Sequence, residues 1–243
     1  METQYTVWDV DSTLTGESLD ELARTKLSEE QYQDFAIITK LGMNGEIPFS
    51  ESLQRRINII VEARVTVSDL ENFAKTIEVA VGVREHIQKL IQENPEQHIV
   101  LTGGFRRILL PLLLSIGFVE ENVFTNIFTD DGEVITGHDE NNLLAQDNGK
   151  VQQMTRIMSV DEFTHLNPVA NGTSVVGDGG SDKKILTSGL AKTFVHFTGI
   201  AGKQNRENIA KDVDDHKDMF ASEDHEDTVR ILRERQQLPL AAK

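Results

Sequence analysis

The sequence predicts an α/β fold, a parallel sheet with helices on both faces, interrupted after its first strand by a helical segment. Three observations lead there. Short apolar, β-branched runs alternate with helical periodicity along the chain; each run precedes a glycine or a helix-start signal; and the stretch from about residue 15 to 81 has helical periodicity with no convincing strand. Ligands of such sheets bind outside the carboxyl ends of the strands, so the residues that follow each apolar run are the candidates for chemistry.

Strands are expected at "YTVWDV" from Tyr5, "HIVLTGG" from His98, "TSVVGDGG" from Thr173 and "KTFVHFTG" from Lys192, with a last one at "DMFAS" before the helical "TVRILRERQQL". Between the first two, "ESLDELARTKL", "SEEQYQDFAIITKLG", "SESLQRRINIIVEA" and "SDLENFAKTIEV" predict four amphipathic helices. Ser28 with Glu29 and Glu30 behind it, Pro48 and Ser68 are their start signals, and the Asn-Gly pair of "MNGEIPF" is a turn between two of them. The chain returns to the sheet near Gly82, which divides it into a core of residues 1–14 and 82–243 and a helical insertion of 15–81. An Asp-Gly turn flanked by alternating residues predicts a small β-hairpin between Val123 and Thr136. The apolar run Ile108 to Phe118 is too short to span a membrane and predicts a buried helix, with Pro111 in its first turn or at a kink.

A length of 243 residues suits one large domain or a core with an insertion. With 24 basic and 40 acidic residues the formal charge is -16, which repels nucleic-acid phosphates and anionic membranes and argues against both as partners. An anionic substrate would have to be drawn in by a local positive cluster or a metal ion. The chain has no cysteine, which excludes disulfides, thiolate catalysis and cysteine-rich zinc sites. Its first residues lack the charged start and long apolar stretch of a secretory signal, so a cytoplasmic location is expected. Of the seven histidines, His216 and His225 stand in acidic runs that suggest a solvated face, without the ligand spacing of a zinc site.

Reactive groups cluster at the expected strand ends. Asp9 and Asp11 follow the first strand, Thr102 with Gly103 and Gly104 the second, and Asp178 with Asp182 a later one; Lys150 opens the helix "NGKVQQMTRIM". Carboxylates gathered at one spot repel one another, and the usual remedy is a hard divalent cation such as magnesium. A cation beside a carboxylate, a hydroxyl, backbone amides and a lysine suits phosphoryl transfer, whose spreading negative charge needs fixed positive partners.

In order along the chain, "DVDST", "LTGG", "NGK" and "GDGGSD" resemble the four motifs of the haloacid dehalogenase superfamily of phosphatases. Within it the chain is most similar to phosphoserine phosphatases, because "DSTLTGESLDELA" and "MNGEIPFSESLQRRI" also look like their first helix and cap segment. The resemblance implies a Rossmann-like core with a C1-type helical cap at 15–81, acting on a small phosphomonoester. It implies Asp9 as nucleophile, Asp11 as general acid and base, and Thr102, the Gly103 amide and Lys150 as the grip on the phosphoryl oxygens. Mg2+ would be held by Asp9, Asp178 and the backbone carbonyl of Asp11, with Asp182 as ligand or anchor. Glu17 and Arg56 fall on the substrate-binding positions for an amino group and a carboxylate, and Met43 and Phe49 on residues that close over the ligand.

Three departures from the pattern stand out. The interval from Thr13 to Glu17 is one residue short, Thr102 replaces a serine, and Ser181 replaces an asparagine, keeping a hydroxyl that can reach a ligand or Lys150. From the residues themselves, Lys150 also reads as a solvated helix-start lysine, Arg56 beside Arg55 as a surface ion-pairing residue, and Glu17 as an acid at a helix N-terminus. Two other functions fit the same motifs: hydrolysis or transfer of another phosphorylated metabolite, and a non-catalytic protein that binds metal and a phosphorylated ligand.

Overall fold

Tyr5–Trp8 (β1) is buried along its whole length, as a strand covered on both faces must be. In this computed structural model, which describes residues 4–159, 163, 165–200 and 217–236, its neighbours are β2 (His98–Phe105) and β6 (Thr173–Gly177). Both run parallel to it, with Val7 opposite Ile99 on one side and Val175 on the other. Adding β3 (Val123–Asn126), β7 (Thr193–Phe197) and β8 (Met219–Ser222) gives a six-stranded parallel sheet in the order β3-β2-β1-β6-β7-β8.

Alternate residues of these strands enter two separate apolar cores. Trp8, Val100, Val176 and Val195 belong to one, and Val7, Ile99, Leu101, Val175 and Phe194 to the other. The second core is closed by α7 (Gly149–Ser159) and α8 (Gly180–Thr187), through Met154, Ile157, Ile185 and Leu186. The first is continuous with the apolar faces of the inserted helices α1 (Ser18–Lys26), α2 (Glu29–Met43), α3 (Phe49–Glu62) and α4 (Val67–Ala74). It also takes in α5 (Gln88–Glu93), α6 (Arg106–Ser115) and α9 (His225–Gln236). No described helix is long and apolar enough to cross a membrane.

Local signals place most of the helix starts. The Ser28 hydroxyl accepts from the Gln31 amide while the Gln31 side chain accepts from the Ser28 amide, and Pro48 precedes α3. At the start of α4, Ser68 is a first-turn residue and Thr66 is the cap: the Thr66 hydroxyl accepts from the Asp69 amide and the Asp69 carboxylate accepts from the Thr66 amide, both at 3.0 Å. That helix also ends at Ala74 rather than near Val79. The residues beyond pair with the outgoing strand end instead, Ala80 N–H donating to the Leu14 carbonyl at 2.8 Å beside a Thr15–Val79 bridge. The two chain crossings between sheet and insertion therefore lie side by side.

Two further expectations are corrected, and Pro111 is placed. The hairpin is β4 (Phe128–Asp130) with β5 (Ile135–His138), whereas Val123–Asn126, expected as one of its arms, is the parallel edge strand β3. Val123 and Thr125 are buried on the sheet, which holds that segment there. Pro111 lies inside α6, on its exposed side, while Ile108, Leu109, Leu112 and Leu113 are buried. His225 is buried rather than solvated: its ring stacks on Phe197 at 4.3 Å and burial pushes its pKa down to about 4. His216 and the expected connection through 201–216 lie outside the described residues.

The hairpin also fastens the insertion to the core. Val67 N–H donates to the Glu133 carbonyl and Ile135 N–H to the Val65 carbonyl, both at 2.9 Å. At the chain's return, Gly82 takes φ +86°, and a Cβ there would stand 3.3 Å from that of His225. Replacing Gly82 with alanine should therefore cost about 1–2 kcal/mol, a few degrees in Tm, in thermal denaturation. An unchanged Tm would show that this crossing is not constrained by its backbone.

Candidate active site

Asp9 continues the line of β1, its amide donating to the Val176 carbonyl at 2.9 Å, and Asp11 follows two residues on. The turn between strand and insertion is wound around one acceptor: the amides of Thr13, Leu14 and Thr15 all donate to the Val10 carbonyl. Asp11 Oδ1 accepts from the Ser18 amide at 2.9 Å, at the start of α1. Burial first, then the charge of Glu17, pushes the Asp11 pKa up to about 7, against the Ser18 hydrogen bonds that lower it. Ser12, just before that interval, takes φ +56° and donates its hydroxyl to Glu17 Oε1 at 2.5 Å.

The remaining strand ends converge on the same place. Thr102 is fully buried in β2, and its hydroxyl accepts from the Gly104 amide at 3.0 Å. Lys150, the second residue of α7, is buried with Nζ 2.8 Å from Asp9 Oδ1 and 2.7 Å from Asp182 Oδ1. It is an internal ion-pairing lysine and not a solvated one. Asp178 follows β6, and its backbone carbonyl accepts from His196 Nε2 of β7 at 2.7 Å. Asp182 is buried in the first turn of α8 and accepts from the Gly179 amide at 3.3 Å. A Cβ on Gly177 would stand 2.3 Å from the Asp182 carboxylate carbon, so no larger residue fits beneath this aspartate.

Charge does not balance at this point. Carboxylate oxygens of Asp9, Asp178 and Asp182 lie within 4.8 Å of one another, against the single ammonium of Lys150. Taken as ionised, the group carries a net charge of -2 (three carboxylates, one ammonium). Accordingly burial and repulsion from Asp9 raise both the Asp178 and Asp182 pKa values, while the Asp182 and Asp9 charges raise that of Lys150 against its own burial. One ammonium thus stabilises its partners without satisfying all three.

Above these groups lies a cleft of about 700 Å³ whose lining includes Asp9, Asp11, Thr102, Gly103, Lys150, Asp178 and Ser181 on the sheet side. Glu17, Met43, Phe49 and Arg56 line it from the insertion. Asp182 is absent from the lining and sits behind Lys150. Phe49 reaches across to the sheet, its ring 3.5 Å from where a Cβ on Gly103 would be, and Met43 stands exposed at the rim. The neighbouring arginines separate by role: Arg55 pairs with Glu51 at the surface, whereas Arg56 turns inward over the Phe35 ring and donates Nε to the Ser52 carbonyl at 3.3 Å. Burial lowers the Arg56 pKa, and Glu17 is the largest charge opposing that. No ion pair within 4.0 Å joins the two among the described residues.

Several contributors were missed from sequence. His196 gives no signal inside an apolar strand. Ser50 at the start of α3 donates its hydroxyl to Asp147 at 3.0 Å, tying insertion to core across the mouth of the cleft. Asn148 takes φ +59° and accepts from Lys184 Nζ at 2.8 Å. Lys184 follows Ser181 at helical spacing, the one signal that places it on the same side.

Residues 6–187 match the family of haloacid dehalogenase-like hydrolases. The chain belongs to that family. As such a hydrolase it is 30% identical over 207 residues to human phosphoserine phosphatase, covering 84% of this chain and 85% of that one. It is 27% identical over 212 residues to the chloroplastic phosphoserine phosphatase of Arabidopsis thaliana, covering 85% of this chain and 66% of the relative. Among solved structures, a phosphoserine phosphohydrolase-like protein from Francisella tularensis superposes with a TM-score of 0.73 at 18% identity, over 95% of this chain and 100% of that one. A substrate-bound phosphoserine phosphatase complex gives 0.70 at 21%, over 95% and 99%.

The acidic group of this hydrolase fits a magnesium ion: its donors are hard oxygens, they converge, and their excess charge is that of a divalent cation with opposite sign. Raised carboxylate pKa values mean that the metal-free folded protein holds protons which the unfolded chain, titrating in the ordinary carboxylate range, releases. Stability of the metal-free form from this source should therefore fall as pH rises toward about 8. Mg2+ should raise Tm more at about pH 8 than at about pH 6, because at the lower pH it must displace protons. A Tm increment independent of pH, measured by calorimetry, would contradict this.

Proposed function

We propose that the chain hydrolyses a small phosphomonoester, O-phosphoserine first among them, through an aspartyl-phosphate on Asp9 in a magnesium-dependent reaction. Residues 15–81 serve as the cap over a catalytic core of 1–14 and 82–243. One observation carries the choice of substrate: Glu17 and Arg56 line the same cleft with opposite charges and no ion pair between them. An ammonium and a carboxylate on one small molecule would complete both, and a carboxylate matches the planar fork of an arginine. The relatives named phosphoserine phosphatases support the same reading.

The residues divide the work as follows. Asp9 Oδ1 is occupied by the Val10 amide and Lys150, which leaves Oδ2 to attack phosphorus. As the bond from phosphorus to the serine oxygen breaks, Asp11, whose pKa near neutrality lets it carry a proton, donates that proton to the leaving oxygen. Asp11 then takes a proton from the water that attacks the phosphorus of the aspartyl-phosphate, releasing phosphate and restoring Asp9. Thr102, the Gly103 amide and Lys150 hold the phosphoryl oxygens, with Ser181 at their edge. Mg2+, held by Asp9, Asp178 and the Asp11 carbonyl with Asp182 anchoring Lys150 behind them, would supply positive charge to the phosphoryl group. Phe49 and Met43 exclude water from above when the cap is closed.

A panel of phosphate esters assayed with Mg2+ tests this. Phosphoserine should be the best substrate, and Asp9→Asn should abolish turnover with the fold intact by circular dichroism. Arg56→Ala should raise KM for phosphoserine by roughly thirtyfold, the equivalent of about 2 kcal/mol for a charge-assisted bond, and leave KM for p-nitrophenyl phosphate nearly unchanged. Equal effects on both esters would remove the amino-acid reading.

A further inference from the structure

Every phosphomonoester that reaches this cleft is an anion approaching an acidic protein of formal charge -16. The lining itself repeats the imbalance, with carboxylates from Asp9, Asp11, Glu17, Glu46, Asp147 and Asp178 against cations from Arg56, Lys150 and Lys184. The three cations are held differently. Lys150 is clamped between Asp9 and Asp182 at the floor, and Arg56 lies in the fields of Glu17 and Asp11. Lys184 is the exposed one of the three; it has no carboxylate within 4.0 Å among the described residues, and its Nζ donates to the Asn148 amide oxygen at 2.8 Å.

An amide partner orients an ammonium without neutralising it. Lys184 keeps its full charge and two of its three N–H donors for another acceptor. The partner is itself fixed, because Asn148 sits in the left-handed region at φ +59°, a conformation asparagine tolerates, two residues before Lys150. Lys184 stands one turn along α8 from Ser181 and is exposed at the cleft's edge. Its position is thus between bulk solvent and the phosphoryl site.

We propose that Lys184, held in place by Asn148, is the anion-capture residue of the cleft: it draws in the phosphate dianion of the substrate and contacts it before it settles onto Thr102 and Lys150. This rests on the phosphomonoester reading given above. A cation at a rim acts chiefly on association and on its salt dependence, and an unneutralised one in an acidic surround has the largest such effect.

The test compares wild type, Lys184→Gln and Lys184→Arg with Mg2+ present, using phosphoserine at low and high NaCl and inorganic phosphate as competitive inhibitor. Lys184→Gln should lower kcat/KM by about tenfold at low salt, with the loss carried by KM, and flatten its dependence on NaCl. The phosphate inhibition constant should rise by a similar factor, and Lys184→Arg should restore both. Asn148→Ala, which frees the ammonium without removing it, should fall between wild type and Lys184→Gln. Active enzyme with unchanged KM, salt dependence and phosphate inhibition in Lys184→Gln overturns this inference alone. If wild type turns over no ester, the functional reading fails separately, and calorimetry with inorganic phosphate still decides Lys184. Weaker phosphate binding by the variant would uphold the anion contact; equal binding would overturn it.

Discussion

The packing of Asp9, Asp178 and Asp182 around one buried ammonium sets the terms for the rest of the molecule. Three carboxylates this close cannot all stay ionised on the strength of Lys150, and removing that lysine would leave buried charge with no partner. The surrounding backbone gives the arrangement no room to relax, and a divalent cation would balance its excess charge. Gly177 leaves the Asp182 side chain the space it needs, and His196 pins the Asp178 carbonyl from the neighbouring strand. A divalent cation held there would place positive charge where a phosphate could meet it.

The parallel sheet is what makes that crowding possible. Strands β1, β2 and β6 lie side by side in one direction, so the residues after Trp8, within the end of β2 and after Gly177 arrive at one edge without long loops. Burial of both sheet faces in separate apolar cores fixes the strands firmly enough to hold like charges together. The helical insertion adds the other half of the cleft, and its attachment is more extensive than two crossing strands: the hairpin, Phe49 and the Ser50–Asp147 bond all reach it. An opening of the cleft would have to break the Ser50–Asp147 contact at its mouth.

Much of this was legible in the sequence, for identifiable reasons. Asp9, Asp11, Asp178 and Asp182 stand out because charge directly after apolar strands has a physical cost that calls for an explanation. Thr102 and Lys150 could be assigned only through their order along the chain, since neither is unusual by itself. Where local and long-range preferences compete, the local reading lost. Val123–Asn126 has hairpin-like alternation but is claimed by the sheet edge, and His225 is taken out of its acidic surroundings by stacking on Phe197. His196 and Asn148 are tied to partners far away in sequence, and Lys184 is marked only by its helical spacing from Ser181.

The central claim is that the Asp9 side chain becomes covalently phosphorylated during turnover. Rapid acid quench of the enzyme reacting with phosphoserine and Mg2+, followed by mass spectrometry of the peptide spanning "VWDVDST", tests it directly. Phosphate carried on Asp9 in that peptide is the predicted result, and turnover with no phosphorylated aspartate, or with the phosphate on another residue, would contradict it.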